Sequence, residues 1–137
     1  MSEQENTATA QRAYDNFKTG NIPALIDQMS ADATWQLPEI AGVALAGTRT
    51  GRDGIREFFA IVARDQEVIE FAPREFVAQG DKVVSLGHYK WLVKETGREF
   101  ESDFVHVFTI RDGKIVAFRE HFDTAAAAAA YQKAMSA

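Results

Sequence analysis

Three turn signals, Gly80-Asp81, Thr96-Gly97 and Asp112-Gly113, divide the second half of this chain into four runs rich in β-branched and aromatic residues. Glycine and aspartate tolerate the backbone angles of tight hairpins, so such pairs between apolar runs predict antiparallel strands joined by short turns. The strands are expected at 68–79, 82–94, 98–110 and 114–122. Pro73, inside the first, cannot donate to a sheet ladder and marks that strand as an edge or as the site of a bulge.

The first half follows a different period. Ala10, Ala13, Tyr14 and Phe17 recur at helical spacing behind Ser2 and Glu5, which fit a capping box, or behind Thr7, and Gly20 ends that helix. Asn21 then caps a short second helix that tolerates Pro23 in its first turn and buries Leu25, Ile26 and Met29. Residues 33–37 read as a brief extended segment closed by Pro38, and 39–51 as a loop. Thr50 and Asp53 suit the start of a third helix with Ile55, Phe58, Phe59 and Val62 on one side. The tail, 124–137, carries six consecutive alanines and predicts a short terminal helix capped by Thr124. Helices on one face of an antiparallel sheet define an α+β architecture, and 137 residues suffice for one domain, 1–137.

Composition narrows the partners. Fifteen Lys and Arg against twenty Asp and Glu give a net charge of -5, the wrong sign for a phosphate backbone, so nucleic acid is not expected as a partner. The absence of cysteine removes disulfides and thiolate chemistry. No run is long and apolar enough to span a bilayer and the first residues lack a leader's pattern, so the reading is a cytoplasmic protein without a membrane partner. Asp103, His88 and His121 lack the close spacing of metal-binding histidines, and no metal is expected. The GTRTGRDG string lacks the Lys-Ser or Lys-Thr ending of a phosphate loop.

One acid stands out. Strand alternation places Val116, Phe118, Glu120 and Phe122 on one face of the last strand, so Glu120 shares apolar company and is a candidate general acid or base. The Asp112-Gly113 turn decides its neighbour across the hairpin. A type I turn with a glycine bulge would pair Ile110 with Lys114 and gather Phe104, His106, Phe108, Val116, Phe118 and Glu120 on one face. A two-residue turn would instead pair Val105 with Glu120, and the bulge is preferred because it groups the polar pair with the aromatics. Tyr89 and Trp91 share a face of the strand over 82–94, as aromatics with one polar atom in a ligand-orienting wall do. That strand is apolar on both faces, with Val83, Ser85, Gly87, Tyr89 and Trp91 on one and Val84, Leu86 and Leu92 on the other. The face turned away from the core then predicts a two-fold homodimer.

The element order, with the strings GNIPALIDQMSADATWQLP, AGTRTGRDGIREFF and ESDFVHVFTIRDGKIVAFREHFDT, resembles the NTF2-like superfamily over nearly the whole chain, most closely its SnoaL-like branch. The resemblance implies a cystatin-like cone in which three N-terminal helices pack on a curved antiparallel sheet. It also implies a hydrophobic pocket for a small apolar organic ligand, a homodimer and no cofactor. Ketosteroid isomerases carry a proton-shuttling aspartate where this chain has Leu37 and an oxyanion tyrosine where it has Ala13, with Tyr14 about 100° further round the helix. Steroid isomerisation is therefore disfavoured. Limonene epoxide hydrolase has an arginine and an aspartate where this chain has Gly87 and Tyr89, and only its last carboxylate is matched, by Glu120. The polyketide cyclases carry an aspartate and, fourteen residues earlier, a histidine, matched by Glu120 and His106. The resemblance thus implies a cofactor-independent isomerase, cyclase or hydrolase with Glu120 and His106 as catalytic pair. Tyr89, Trp91, Trp35, Tyr14, Phe104 and Phe118 are expected around the substrate. The alternative is a non-catalytic binding module or a dimerisation scaffold on the same fold.

Overall fold

A computed structural model describes residues 2–132. In it Asp112 and Gly113 both adopt positive φ, 51° and 76°, the backbone of a two-residue hairpin turn, and close Arg111 onto Lys114. The elements in chain order are α1 (Glu3–Lys18), α2 (Ile22–Asp27), β1 (Met29–Gln36), β2 (Thr48–Thr50), α3 (Gly51–Asp65), β3 (Gln66–Gln79), β4 (Lys82–Val93), β5 (Arg98–Arg111), β6 (Lys114–Phe122) and α4 (Thr124–Tyr131). One six-stranded sheet runs in the order β2-β1-β6-β5-β4-β3.

Local chemistry accounts for most boundaries. Ser2 and Glu5 form the expected capping box on α1, and the Asn21 side chain accepts the Ala24 N–H at the start of α2. Thr50 stands at the cap of α3 without a side-chain hydrogen bond, while Asp53 complements the positive end of the helix. α4 is capped by Asp123, not Thr124, because the Asp123 carboxylate accepts the Ala126 N–H at 3.0 Å. Residues 133–137 of the expected terminal helix lie outside the described residues. β3 is an edge strand, and its pairing with β4 also slips between Pro73 and Glu75, so the proline has both consequences expected of it.

The helices number four among the described residues, the three N-terminal ones and the expected terminal helix α4, which packs on β5. Two expectations need correction. The sheet is mixed, because β1 runs parallel to β6 while every other pair is antiparallel. Side-chain alternation reports which face a residue takes and is blind to the direction of the neighbouring strand, so the sequence held no sign of this pairing. The last hairpin has a two-residue turn, with the bulge further along, between Thr109 and Ile110 in the register. That displaced bulge still brings His106 opposite Glu120, but it leaves Ile115, not Val116, buried against Ile110.

The curved sheet wraps its inner face around the core. Along β4 every odd residue from Val83 to Val93 is buried, whereas Val84, Leu86, His88, Lys90 and Leu92 face outward. α3 lays Ile55, Phe58, Phe59 and Val62 across the inner face, and α1 contributes Ala10, Ala13 and Tyr14. Gly87 lies opposite Phe104, and a Cβ there would overlap the Phe104 ring and the Ala72 carbonyl. The glycine is thus required for Phe104 to lie flat against the sheet interior.

Candidate functional site

Four strand and helix positions converge inside the cone. β5 and β6 place His106 and Glu120 directly opposite each other, β4 supplies Tyr89, and α1 supplies Tyr14 from above. The His106 Nε2 atom lies 3.0 Å from Glu120 Oε2, its Nδ1 lies 2.7 Å from the Tyr14 hydroxyl, and Tyr89 donates its hydroxyl to Glu120 Oε2 at 2.8 Å. Relative exposures of 4% for His106 and 8% for Glu120 remove both from bulk water.

One arrangement of protons satisfies all three contacts. Tyr14 donates to Nδ1, the neutral imidazole donates its Nε2–H to the carboxylate, and Tyr89 donates to the same oxygen. Burial raises the pKa of Tyr89 far above the ordinary phenol value, and the charge of Glu120 and the hydrogen bond to it raise it further. Burial likewise raises that of Tyr14, opposed by the Ser85 hydroxyl and reinforced by Glu120. Both tyrosines therefore stay protonated at neutral pH. Glu120 Oε1 receives no hydrogen bond from the described residues.

Aromatic rings fix this network in place. Phe104 stacks on the His106 ring at 4.1 Å between centroids, and Trp35 stacks on Phe118 at 3.8 Å. The polar cluster forms one wall of a cavity whose remaining lining is almost wholly apolar, with Trp35, Trp91, Phe71, Phe118 and the Leu37–Leu45 loop among its sides. Of the residues expected around a substrate, Tyr14, Tyr89, Trp91, Trp35 and Phe118 line this cavity. Tyr14 and Tyr89 also hold the acid network. Phe104 stands behind His106 and is absent from the lining.

Sequence reasoning passed over Gln66, Phe71 and Tyr131, which also line the cavity. Phe71 carried a usable signal, a ring on an expected strand. Gln66 sits at a helix-to-strand junction and Tyr131 follows an alanine run, and neither place has a periodicity to flag it. On the outer face His88 meets Asp103 at 2.8 Å and Glu101 at 3.0 Å, with its ring nitrogens both occupied. Among the described residues no group of three or more His, Asp or Glu side chains could hold a metal ion, and no helix is long and apolar enough to cross a membrane.

A cone-shaped α+β domain with a buried carboxylate, imidazole and two phenols on its inner wall is a recognisable class of protein. The chain belongs to the SnoaL-like domain family, which matches residues 10–118. Among solved structures it is similar to an NTF2-like protein from Burkholderia xenovorans, with 32% identity and a TM-score of 0.89 over 96% of this chain and 99% of that one. An NTF2-like protein from Burkholderia pseudomallei is 30% identical, with a TM-score of 0.79 over 91% of this chain and 94% of that one. TerC, crystallised with polyporic acid, is 33% identical, with a TM-score of 0.80 over 93% of this chain and 98% of that one. No curated protein matches.

Proposed function

We propose that the cavity takes a small, neutral, largely apolar organic molecule and that Glu120 moves a proton on it. The observation that carries this reading is the buried carboxylate with one oxygen held by Tyr89 and His106 and the other unengaged. Oε1 would remove a proton from the carbon beside a carbonyl. The electrons of the broken C–H bond then form the enolate, and Glu120 returns the proton elsewhere on the product. An isomerase returns it to a different carbon, whereas in a cyclase the enolate carbon first bonds to a second carbonyl. His106, held by Tyr14 at Nδ1 and donating from Nε2 to the carboxylate, positions the acid. Among the described residues no lysine or arginine lines the cavity, so none of them would balance a carboxylate or phosphate brought beside Glu120. The similarity to TerC, crystallised with polyporic acid, supports an organic ligand.

A binder without chemistry is the second reading, favoured by Leu37 and Ala13 where the isomerases carry their polar groups. A screen of apolar carbonyl compounds and epoxides separates the two. Glu120→Gln keeps the size of the side chain and removes the acid, so an enzyme loses roughly 100-fold or more in turnover with little change in affinity. Turnover that survives this substitution removes Glu120 from the mechanism, and a ligand bound without turnover supports the binder.

The outer sheet face is proposed to pair with a second copy in a homodimer. It carries a central apolar strip of Val77, Val84, Leu86, Val105 and Val107, with Val77 59% exposed. Charged residues of both signs flank the strip, Glu70, Lys90, Glu101 and Asp103 on one side and Lys82 and Arg119 on the other, as at the polar rim of an interface. The cytoplasm is proposed as its compartment.

A further inference from the structure

The cavity holds a second polar group that the acid network does not use. Gln66 is the first residue of β3, directly after α3, and is 8% exposed. Its Oε1 accepts the Tyr131 hydroxyl from α4, and both residues line the cavity. A primary amide carries two N–H donors as well as its oxygen. Among the described residues those donors have no partner. The amide nitrogen is accessible and not sealed in the core, so a glutamine in an otherwise apolar wall presents two donors to an acceptor that enters the cavity.

We infer that Gln66, held by Tyr131, is a second polar station that receives the far oxygen of an elongated, neutral aromatic ligand whose near end meets Glu120. This rests on the proposed reading of the cavity as a ligand site. Neutrality rests on the side chains described: an amide and a phenol match a carbonyl or hydroxyl oxygen, and among the described residues lining the cavity no lysine or arginine is at hand for a carboxylate. Length follows from the sheet. Gln66 pairs with Val93, four residues along β4 from the Tyr89 that holds Glu120, which is about 13 Å at the rise of a strand. A ligand of two or three linked rings spans such a gap, and Trp91, Phe71 and Phe100 offer it aromatic walls.

The alternative is a latch, in which the Gln66–Tyr131 bond only fastens α4 over the cavity. Matched phenols distinguish the two: phenylphenol against the biphenyldiol with hydroxyls at opposite ends, and hydroxystilbene against the corresponding stilbenediol, each measured by calorimetric titration. In at least one length class the diol is expected to bind the unaltered protein about tenfold more tightly than its monohydroxy partner, the worth of one added hydrogen bond. Gln66→Met brings the two compounds within about twofold of each other. Tyr131→Phe breaks the latch but keeps the amide, and a preference for the diol remains. The station is overturned if no diol is preferred, if the preference survives Gln66→Met, or if Tyr131→Phe abolishes it as completely as Gln66→Met does. If neither member of any pair binds the unaltered protein, the underlying reading of the cavity as a ligand site falls first, and the station with it.

Discussion

His106 and Glu120 are direct cross-strand partners whose ring nitrogen and carboxylate oxygen lie 3.0 Å apart, so the register of one hairpin sets the geometry of the acid. The displaced bulge between Thr109 and Ile110 is what keeps the two on the same face. Inserting one alanine after Phe118, beyond the bulge, places Arg119 opposite His106 and turns Glu120 outward. The expected result is a folded domain that no longer turns over any substrate found for it, checked by amide exchange in β6 alongside activity.

Tyr89 supplies one of two hydrogen bonds to a buried carboxylate. Tyr89→Phe leaves the ring packing intact and removes that donor, which is expected to destabilise the fold by about 1.5–3 kcal/mol. Urea denaturation at neutral pH measures it, and an unchanged midpoint would mean that the carboxylate draws nothing from Tyr89.

Glu120 decides that Nε2 of His106 carries a proton, because a carboxylate can only accept whereas the Tyr14 hydroxyl can donate or accept. Nitrogen NMR of the unaltered protein is expected to find Nε2 protonated. In Tyr14→Phe that proton is expected to stay on Nε2, with the Nδ1 resonance shifted by the loss of its hydrogen bond. A proton moved to Nδ1 in the variant would assign control of the tautomer to Tyr14.

Gly87→Ala puts a methyl group into the Phe104 ring and the Ala72 carbonyl. Overpacking of this kind costs about 1–3 kcal/mol, and contact with backbone favours the upper end. Because Phe104 stacks on His106, the imidazole resonances should shift as well. A melting temperature equal to that of the unaltered protein would show that β3 yields freely at Pro73.

His88 links stability to pH on the outer face. Its hydrogen bonds to Asp103 and then to Glu101 raise its pKa above the ordinary histidine value of about 6.5. The folded state therefore binds the proton more tightly than the unfolded chain. The stabilisation is complete below the unfolded value and is lost as pH rises through the higher folded value. Replacing His88 with Gln is expected to flatten the urea midpoint against pH across that window. A slope that persists would place the linkage elsewhere.

The outer face gives a test of assembly. Light scattering at micromolar concentration is expected to return twice the chain mass, and Leu86→Asp, a charge in the middle of the apolar strip, should return the mass of one chain. A monomeric mass for the unaltered protein would reject the dimer.

Most of the cone was legible because its makers are local. Turn pairs, caps and period-two alternation are written in neighbouring residues, and they located α1 to α3, β3 to β6 and the pairing of Glu120 with His106. That pairing was reached through a turn of the wrong type, since the two-residue turn and the later bulge together give the same offset. Tyr14 was placed beside the ligand, yet its bond to Nδ1 depends on how far α1 slides over the sheet, which no local pattern encodes. Gln66 and Tyr131 are 65 residues apart, and only the packing of α4 against the far end of the sheet makes them neighbours.

The parallel pairing of β1 with β6 also orders events during synthesis. Eighty-two of the 137 residues lie between Trp35 and its partner Phe118, so the ribosome has delivered both ends of the cone's wall only when the last hairpin emerges. Closing so large a loop is slow relative to local hairpins, and until it happens β1 has only the short β2 beside it and its other edge lacks β6. The nascent first half is therefore the stretch on which a chaperone would act, and the final strand is the event that releases it.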